Sequence, residues 1–491
     1  MKKAIVIGAG YAGLSAASFL AKAGWDVTVL EKLSGPGGRA RNFSADGFTF
    51  DMGPSWYWMP DVFERYFNCF GKKVSDYYQL TRLDPSYRVY WPEGSSTDLP
   101  SQYEQLRHAF ENIEPGAGAR LDKFMKEAAY KYEVGIGKLV FKPARSLTEY
   151  MEWDVLKGIL KMDVFSNMKK HIHQYFKNPK LRQLLEFPVL FLGALPKDIP
   201  ALYSLMNYAD INFGTWYPHK GMYSIVEGMY SLALELGVKF RFDTPVTGFD
   251  IANNHITSAI AEGGRSFEAD AIIGAADYAF IDQHLLPEKY RQYSSAYWES
   301  RVMAPSCLLY YIGINKRLQN IKHHSLFFDT DFNVHGSEIY ESKSWPKEPL
   351  FYTCAPSVTD DTVAPPGCEN LFFLIPVSSG LKGDTEELRE TYFQKILTRF
   401  EEKTGNKLRE NIIFKRSYSV SNFQNDYNSF KGNAYGLANT LLQTAILKPR
   451  CKSSKINNLF YTGQLTVPGP GLPPSLISGE VVSSLVQKVC K

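Results

Sequence analysis

An α/β fold, a Rossmann-type unit with other domains inserted into it, is what the 491 residues predict. Three observations carry that expectation. The chain opens on an apolar, β-branched run, a G-x-G-x-x-G turn and an Ala-rich stretch. A second strand-like run ends in an acid, and the C-terminal stretch from Asn458 returns to a strand, a Gly/Pro-rich turn and an apolar helix. A chain of this length holds roughly two to four domains. With 44% hydrophobic and 22% charged residues it has ordinary globular composition and enough apolar material for a large core, which excludes a disordered tail, a disulfide-stapled mini-protein and a collagen-like chain. The formal net charge of +4 is too small to argue for nucleic acid as a partner. Aromatic residues are abundant at 14%, which directs attention to an apolar ligand or an interface. The six cysteines include no C-x-x-C pair, so they read as packed thiols of a reducing compartment, with neither zinc nor a disulfide framework expected.

Taken in order, Ala4–Ile7 is a buried strand, Gly8-Ala9-Gly10-Tyr11-Ala12-Gly13 a tight turn, Leu14–Ala23 a helix and Asp26–Leu30 a second strand leading into Glu31-Lys32. Gly8 permits the turn, Gly10 lets the backbone approach a pyrophosphate, and Gly13 lets the helix pack on the strand. The helix N-terminus attracts phosphates, and Glu31 can accept from ribose hydroxyls. The charged start and the uncharged run to Ala21 imitate a secretory signal, but the glycines and the strand that follows assign the segment to the fold. Beyond Glu31 come Gly37-Gly38-Arg39 and Phe50-Asp51-Met52-Gly53-Pro54-Ser55. These resemble the extended FAD fingerprint of the glutathione-reductase-like, amine-oxidase-type flavoproteins, in which the second glycine pair and its arginine lie against the diphosphate.

Phe240–Phe249 reads as a strand around Pro245-Val246, and Ala269–Gly274 as a buried one. The resemblance places Val246 where a backbone group meets adenine. The expected division is therefore discontinuous: 1–100, 220–290 and 450–491 form the FAD domain, 101–219 a substrate and membrane-associated helical region, and 291–449 an α+β substrate domain. No internal repeat or low-complexity linker interrupts it. The segment Lys138–Lys180 carries nine Lys or Arg against four acids, with Val155, Leu156, Ile159, Leu160, Val164, Phe165 and Met168 at helical spacing. That pattern suits either an anionic membrane surface or an ordinary helix with a solvated basic face. The apolar run from Phe187 is too short to span a bilayer, and the uncharged run Ile456–Gly479 contains four prolines that a lipid-facing helix could not carry.

The tail supplies the most specific motif, Val467-Pro-Gly-Pro-Gly471-Leu472-Pro473-Pro-Ser-Leu-Ile-Ser-Gly479, after Tyr461-Thr-Gly463. A helix starting there would aim its N-terminus at a flavin edge that becomes anionic on reduction. With Gly37-Gly38-Arg39-Ala40, Asp51–Ser55, Lys431-Gly-Asn-Ala-Tyr-Gly-Leu437 and Gln443-Thr-Ala445, it makes the chain similar over nearly its whole length to bacterial carotenoid desaturases of the phytoene desaturase type; Tyr57–Phe63 resembles the flavobacterial branch. The resemblance implies hydride transfer from an allylic carbon of a long polyene to flavin N5, with a quinone or dioxygen as terminal acceptor. It also implies an aromatic, apolar tunnel loaded from membrane lipid, and a cytoplasmic protein held on the inner face of the cell membrane. The cofactor residues it implies are Gly8, Gly10, Tyr11, Ala12, Gly13, Glu31, Lys32, Gly38, Arg39, Gly53, Pro54, Ser55, Val246, Gly463, Gly471, Leu472 and Pro473. No catalytic residue and no metal ligand stand out: His171 and His173 are expected on the surface, and Asp51 as a cap. Phytoene is the first substrate expected and a 1-hydroxycarotenoid, desaturated at C3–C4, the second. A carotene isomerase, an amine oxidase (whose paired aromatic cage the tail does not show) and a non-enzymatic prenyl-binding carrier of the GDP-dissociation-inhibitor type are the rival readings.

Overall fold

A computed structural model describes residues 1–146, 149, 166–190 and 192–490. Five parallel strands form one sheet: β1 (Lys3–Ile7), β2 (Asp26–Leu30), β3 (Lys239–Arg241), β4 (Ala271–Gly274) and β5 (Leu459–Tyr461), in the order β5-β4-β1-β2-β3. The apolar run of β1 takes the centre because both faces are covered there, with Val6 opposite Val29 on one side and Ile273 on the other. Helix α1 (Tyr11–Lys22) follows β1 and packs between α2 (Tyr223–Glu235) and α3 (Leu472–Val489). Gly479 makes the α1–α3 approach possible: a β-carbon there would come within 2.5 Å of the Ala12 carbonyl oxygen.

The segment 240–249, predicted as one strand, is two. Lys239–Arg241 joins the parallel sheet, and Val246–Ala252 starts a three-stranded antiparallel sheet with His255–Ala261 and Ser266–Glu268. Asp243 turns the chain between them at φ +49°, and Pro245 has no N–H with which to continue a ladder.

The inserted material builds a second sheet of seven strands in the order Ile412–Tyr418, Ser306–Ile314, Glu369–Val377, Phe351–Cys354, His324–Phe327, Tyr87–Tyr90, Ser96–Leu99. Ser306–Ile314 is buried throughout, because the two faces meet different layers. Leu308, Tyr310 and Ile312 pack with Phe393 and Phe400 of the helix Glu386–Thr404, while Cys307, Leu309 and Tyr311 face the main core. Since Tyr87–Leu99 pairs into this sheet, the first sheet change falls before residue 87, earlier than the boundary expected at 100.

Helices Ala117–Val134, Met168–Tyr175, Pro179–Leu190 and Leu205–Phe213 cover the opposite side of that core. The middle of the expected basic amphipathic stretch, including Lys157, Lys161 and the apolar positions 155–165, lies outside the described residues. Its described end departs from expectation. Met168, His171 and Ile172 form the buried face of Met168–Tyr175, so His171 is only 4% exposed, against Phe124 and 3.8 Å from Glu127 Oε2; His173 is half-buried beside Glu186. Phe187, Val189, Leu192 and Ala194 are also buried, so these four side chains offer no exposed apolar face. No helix among the described residues is long and apolar enough to cross a membrane.

Candidate functional site

A cavity of about 280 Å³ opens at the carboxyl ends of β1, β2 and β4, where ligands of open α/β sheets bind. The β1–α1 turn supplies Gly8, Gly10, Tyr11 and Ala12 to its wall, and the chain after β2 supplies Glu31, Lys32, Gly38 and Arg39. Gly53, Pro54, Val246, Gly463, Gly471 and Leu472 complete the set that sequence reasoning placed there. Three expected residues are not on this wall. Gly13 lies beneath the turn, where a β-carbon would sit 2.0 Å from the Gly8 carbonyl oxygen, so it serves packing. Ser55 accepts a hydrogen bond from the Tyr352 hydroxyl at 2.9 Å in a neighbouring region, and Pro473 occupies the first turn of α3, where no N–H is needed.

Each wall element has a local reason for its shape. Gly8 sits at φ +104°. Gly10 is extended, and a β-carbon on it meets nothing within 4 Å, so its backbone faces open cavity. The Glu31 carboxylate accepts from Ala9 N–H at 2.6 Å and Leu33 N–H at 2.9 Å. Burial pushes its carboxyl up and those N–H groups hold it down; each oxygen keeps a second lone pair for a hydroxyl donor. Arg39 is the strongest electrostatic feature. Its guanidinium is buried 5.3 Å from the Tyr427 ring, Nη2 donates to Ser429 Oγ at 2.9 Å, and Nε has no partner among the described residues. Burial lowers its pKa while Asp277 opposes that shift. Neither α1 nor α3 has a side-chain cap, so both N-termini present backbone donors, at Gly10 and Gly471. A buried cation short of acceptors and two open helix N-termini suit an anionic, elongated ligand.

Sequence reasoning missed Asp277 and Phe280 after β4, Phe423 and Tyr427, and Gln464 and Ser475, all on the wall. Asp277 accepts from Phe280 N–H at 3.2 Å and from Phe430 N–H at 3.2 Å, a cap that could have been noticed directly after a buried strand. Tyr435 was within a quoted motif but had no assigned role. Asp51 is a cap, as expected, though of a distant helix: it accepts from Met222 and Tyr223 N–H at the start of α2.

The cavity is chemically divided. Its carboxylates and cations are Glu31, Lys32, Arg39, Asp277 and Asp426. The wall beside α3 consists of Cys307, Leu309, Leu374, Ala434, Tyr435 and Leu472, within the same buried cluster as an aromatic group of Trp58, Tyr87, Phe187 and Phe328.

Residues 11–480 match the model of a family described as flavin containing amine oxidoreductase. The chain belongs to that family. Among its curated relatives, a carotenoid 3,4-desaturase of Haloarcula japonica is 40% identical over 97% of this chain and 96% of its own length. A zeta-carotene-forming phytoene desaturase of Myxococcus xanthus is 32% identical over 98% and 93%. Two solved structures share the fold alone: an oxidoreductase from Methanosarcina mazei, with TM-score 0.65 and 16% identity over 98% of this chain and 100% of that one, and putrescine oxidase bound to putrescine, with TM-score 0.62 and 12% identity over 99% of each. As in other flavin-containing amine oxidoreductases, the cofactor is FAD. The residues present fit it: Arg39 Nε and the α1 N-terminus would meet the diphosphate, Glu31 the ribose hydroxyls, and the α3 N-terminus at Gly471-Leu472 the ring system. When bound, the flavin supplies a two-electron acceptor. In this family member Cys307, Leu309, Leu374, Ala434, Tyr435 and Leu472 would supply an apolar surface beside that ring.

Proposed function

We propose that this flavoprotein desaturates a long acyclic carotenoid. The observation that carries the reading is the wall beside α3: Cys307, Leu309, Leu374, Ala434 and Leu472 offer no carboxylate to hold an amine and no cation to hold an acid, and they suit a hydrocarbon. A substrate without charge is recognised by shape and apolar burial, and Trp58, Tyr87 and Phe187 belong to the buried core against which this wall packs. The full-length relatives named for carotenoid desaturation support the same substrate class. Cys307 and Tyr435 are the ionisable groups of this wall, and burial raises the pKa of each. Neither is a base at neutral pH, which suits a reaction in which loss of hydride leaves a delocalised cation that sheds its proton readily.

Within the class, the 40% relative named for 3,4-desaturation favours a substrate that already carries a polyene, with phytoene as the alternative. Expressing the chain in cells that accumulate either phytoene or 1-hydroxycarotenoids, and identifying products by absorption and mass, distinguishes the two. A flavin-loaded protein that changes neither pigment would overturn the reading.

The same reading includes attachment to one face of a bilayer, the inner leaflet of the cell membrane, because such substrates dissolve only in lipid. Leu441, Leu442 and Leu447 are 44%, 76% and 48% exposed. Val302, 46% exposed, is tied to them through Gln443, whose amide donates to Val302 O at 2.9 Å and accepts from Val302 N–H at 3.0 Å. A cluster of this kind supports shallow insertion among lipid chains. A quinone in that bilayer, or dioxygen, would take the electrons from the reduced flavin.

A further inference from the structure

We propose that His323, His324 and Cys354 form a binding site for one zinc ion, separate from the cofactor cavity. His324 opens the strand His324–Phe327 and pairs in register with Cys354, the last residue of Phe351–Cys354. His323 precedes it, with the two rings 4.5 Å apart at 73°. One ring nitrogen of each histidine and the Cys354 sulfur lie within 4.8 Å of one another, and all three residues are buried.

The hydrogen bonds around the rings are those of metal-ligating histidines. Tyr352 OH donates to Ser55 Oγ at 2.9 Å, so its oxygen accepts from His324 Nδ1–H at 2.7 Å. His323 Nδ1 is engaged by Thr359 Oγ1 at 2.8 Å. In both rings Nε2 has no partner among the described residues. Two buried nitrogens without partners, on rings held by a hydrogen bond at the other nitrogen, otherwise carry a desolvation cost with no return. Trp56 stacks on His324 at 4.1 Å and 14° and holds it against rotation.

Two imidazoles and a thiolate suit zinc, with bonds of about 2.0–2.1 Å to nitrogen and about 2.3 Å to sulfur. Reaching them would draw the donors in by roughly 1 Å from their present spacing. Of the three residues, Cys354 alone also lines a void of about 20 Å³, with Asp51, Ser55 and Tyr217, that has room for one water beside the sulfur. Binding releases the thiol proton to solvent and changes no oxidation state. The ion would clamp two strands of the second sheet behind Trp56, bracing the aromatic wall without touching the flavin.

The test is metal analysis of untagged holoenzyme purified without chelators, with zinc-edge X-ray absorption. Near one zinc per chain, with one sulfur neighbour near 2.3 Å, is expected. Cys354→Ser and His324→Gln should lose the zinc while keeping FAD, and Cys368→Ser, a half-buried cysteine elsewhere, should keep both. Zinc below a tenth per chain in the parent, with no thiolate absorption on adding Co²⁺, overturns the proposal. So does full zinc content in Cys354→Ser. If that variant does not fold, the parent's absorption spectrum decides: a sulfur neighbour supports the site and its absence refutes it.

Discussion

A β-carbon on Gly10 would meet no atom within 4 Å, and the backbone there, at φ −76°, suits any L residue. Gly10→Val should therefore fold normally and fail to retain FAD, because its methyls occupy the space the diphosphate needs. The ratio of flavin to protein absorbance checks this, and a folded variant with full flavin would contradict the site. Asp210 carries a second prediction. It is buried, Tyr87 OH donates to Oδ2 at 2.9 Å, and burial pushes its carboxyl from 3.8 up to about 7. Between those values the folded chain keeps a proton that the unfolded chain has lost, so this group's contribution to stability falls as pH rises from about 4 to about 7 and levels off above. Asp210→Asn still accepts from Tyr87 and has no such proton, so its Tm should vary less over that window; Glu186, also pushed up to about 7, acts in the same direction in both proteins. At this scale the glycine triplet, Glu31 and Arg39 were legible because neighbouring residues define their roles. Asp277 and Tyr427 were not, since only tertiary folding brings them to Arg39. The same holds for His323, His324 and Cys354, whose ligand spacing is set by strand pairing and has no motif.

Helices α1 and α3 touch at Gly479 and share a hydrogen bond from Ser15 Oγ to the Leu476 carbonyl at 2.7 Å. Gly479→Val would drive its side chain into the backbone at Ala12 and Ala16. Overpacking of this kind costs about 1–3 kcal/mol. Since both helices aim their N-termini at the cavity, FAD affinity and Tm should fall together; unchanged FAD affinity in a destabilised variant would show that the two helix ends are not coupled. β1, α1, β2 and the strand and helix of the tail were readable because apolar runs bounded by glycine or an acid have one interpretation. The segment 240–249 misled because apolar periodicity does not register a strand leaving one sheet for another. His171 was misplaced for a different cause: charge dominated the reading of Lys138–Lys180, while the Met168, His171, Ile172 spacing marked a buried face.

Considered whole, the protein presents a charged cofactor cavity, an apolar wall and an exposed leucine cluster. If that cluster meets the bilayer, Leu441→Asp with Leu442→Asp should weaken sedimentation with liposomes at low and high salt alike, while leaving flavin content intact. Binding equal to the parent would place the contact elsewhere. The division into a parallel sheet and an inserted second sheet was legible from motif positions, but the membership of Tyr87–Leu99 was not, because two short strands do not announce which sheet will accept them. The order of β5-β4-β1-β2-β3 also bears on synthesis. Ala4 waits for Ala271 as its sheet partner, and β4 in turn waits for Leu459. At about 5–20 residues per second, a ribosome needs roughly 13–55 s to make the first of these partners. During that interval an apolar strand edge stands open, and the cofactor cavity lacks a wall until Gly471 and Leu472 have been made, so the flavin meets a finished site only at the end of synthesis.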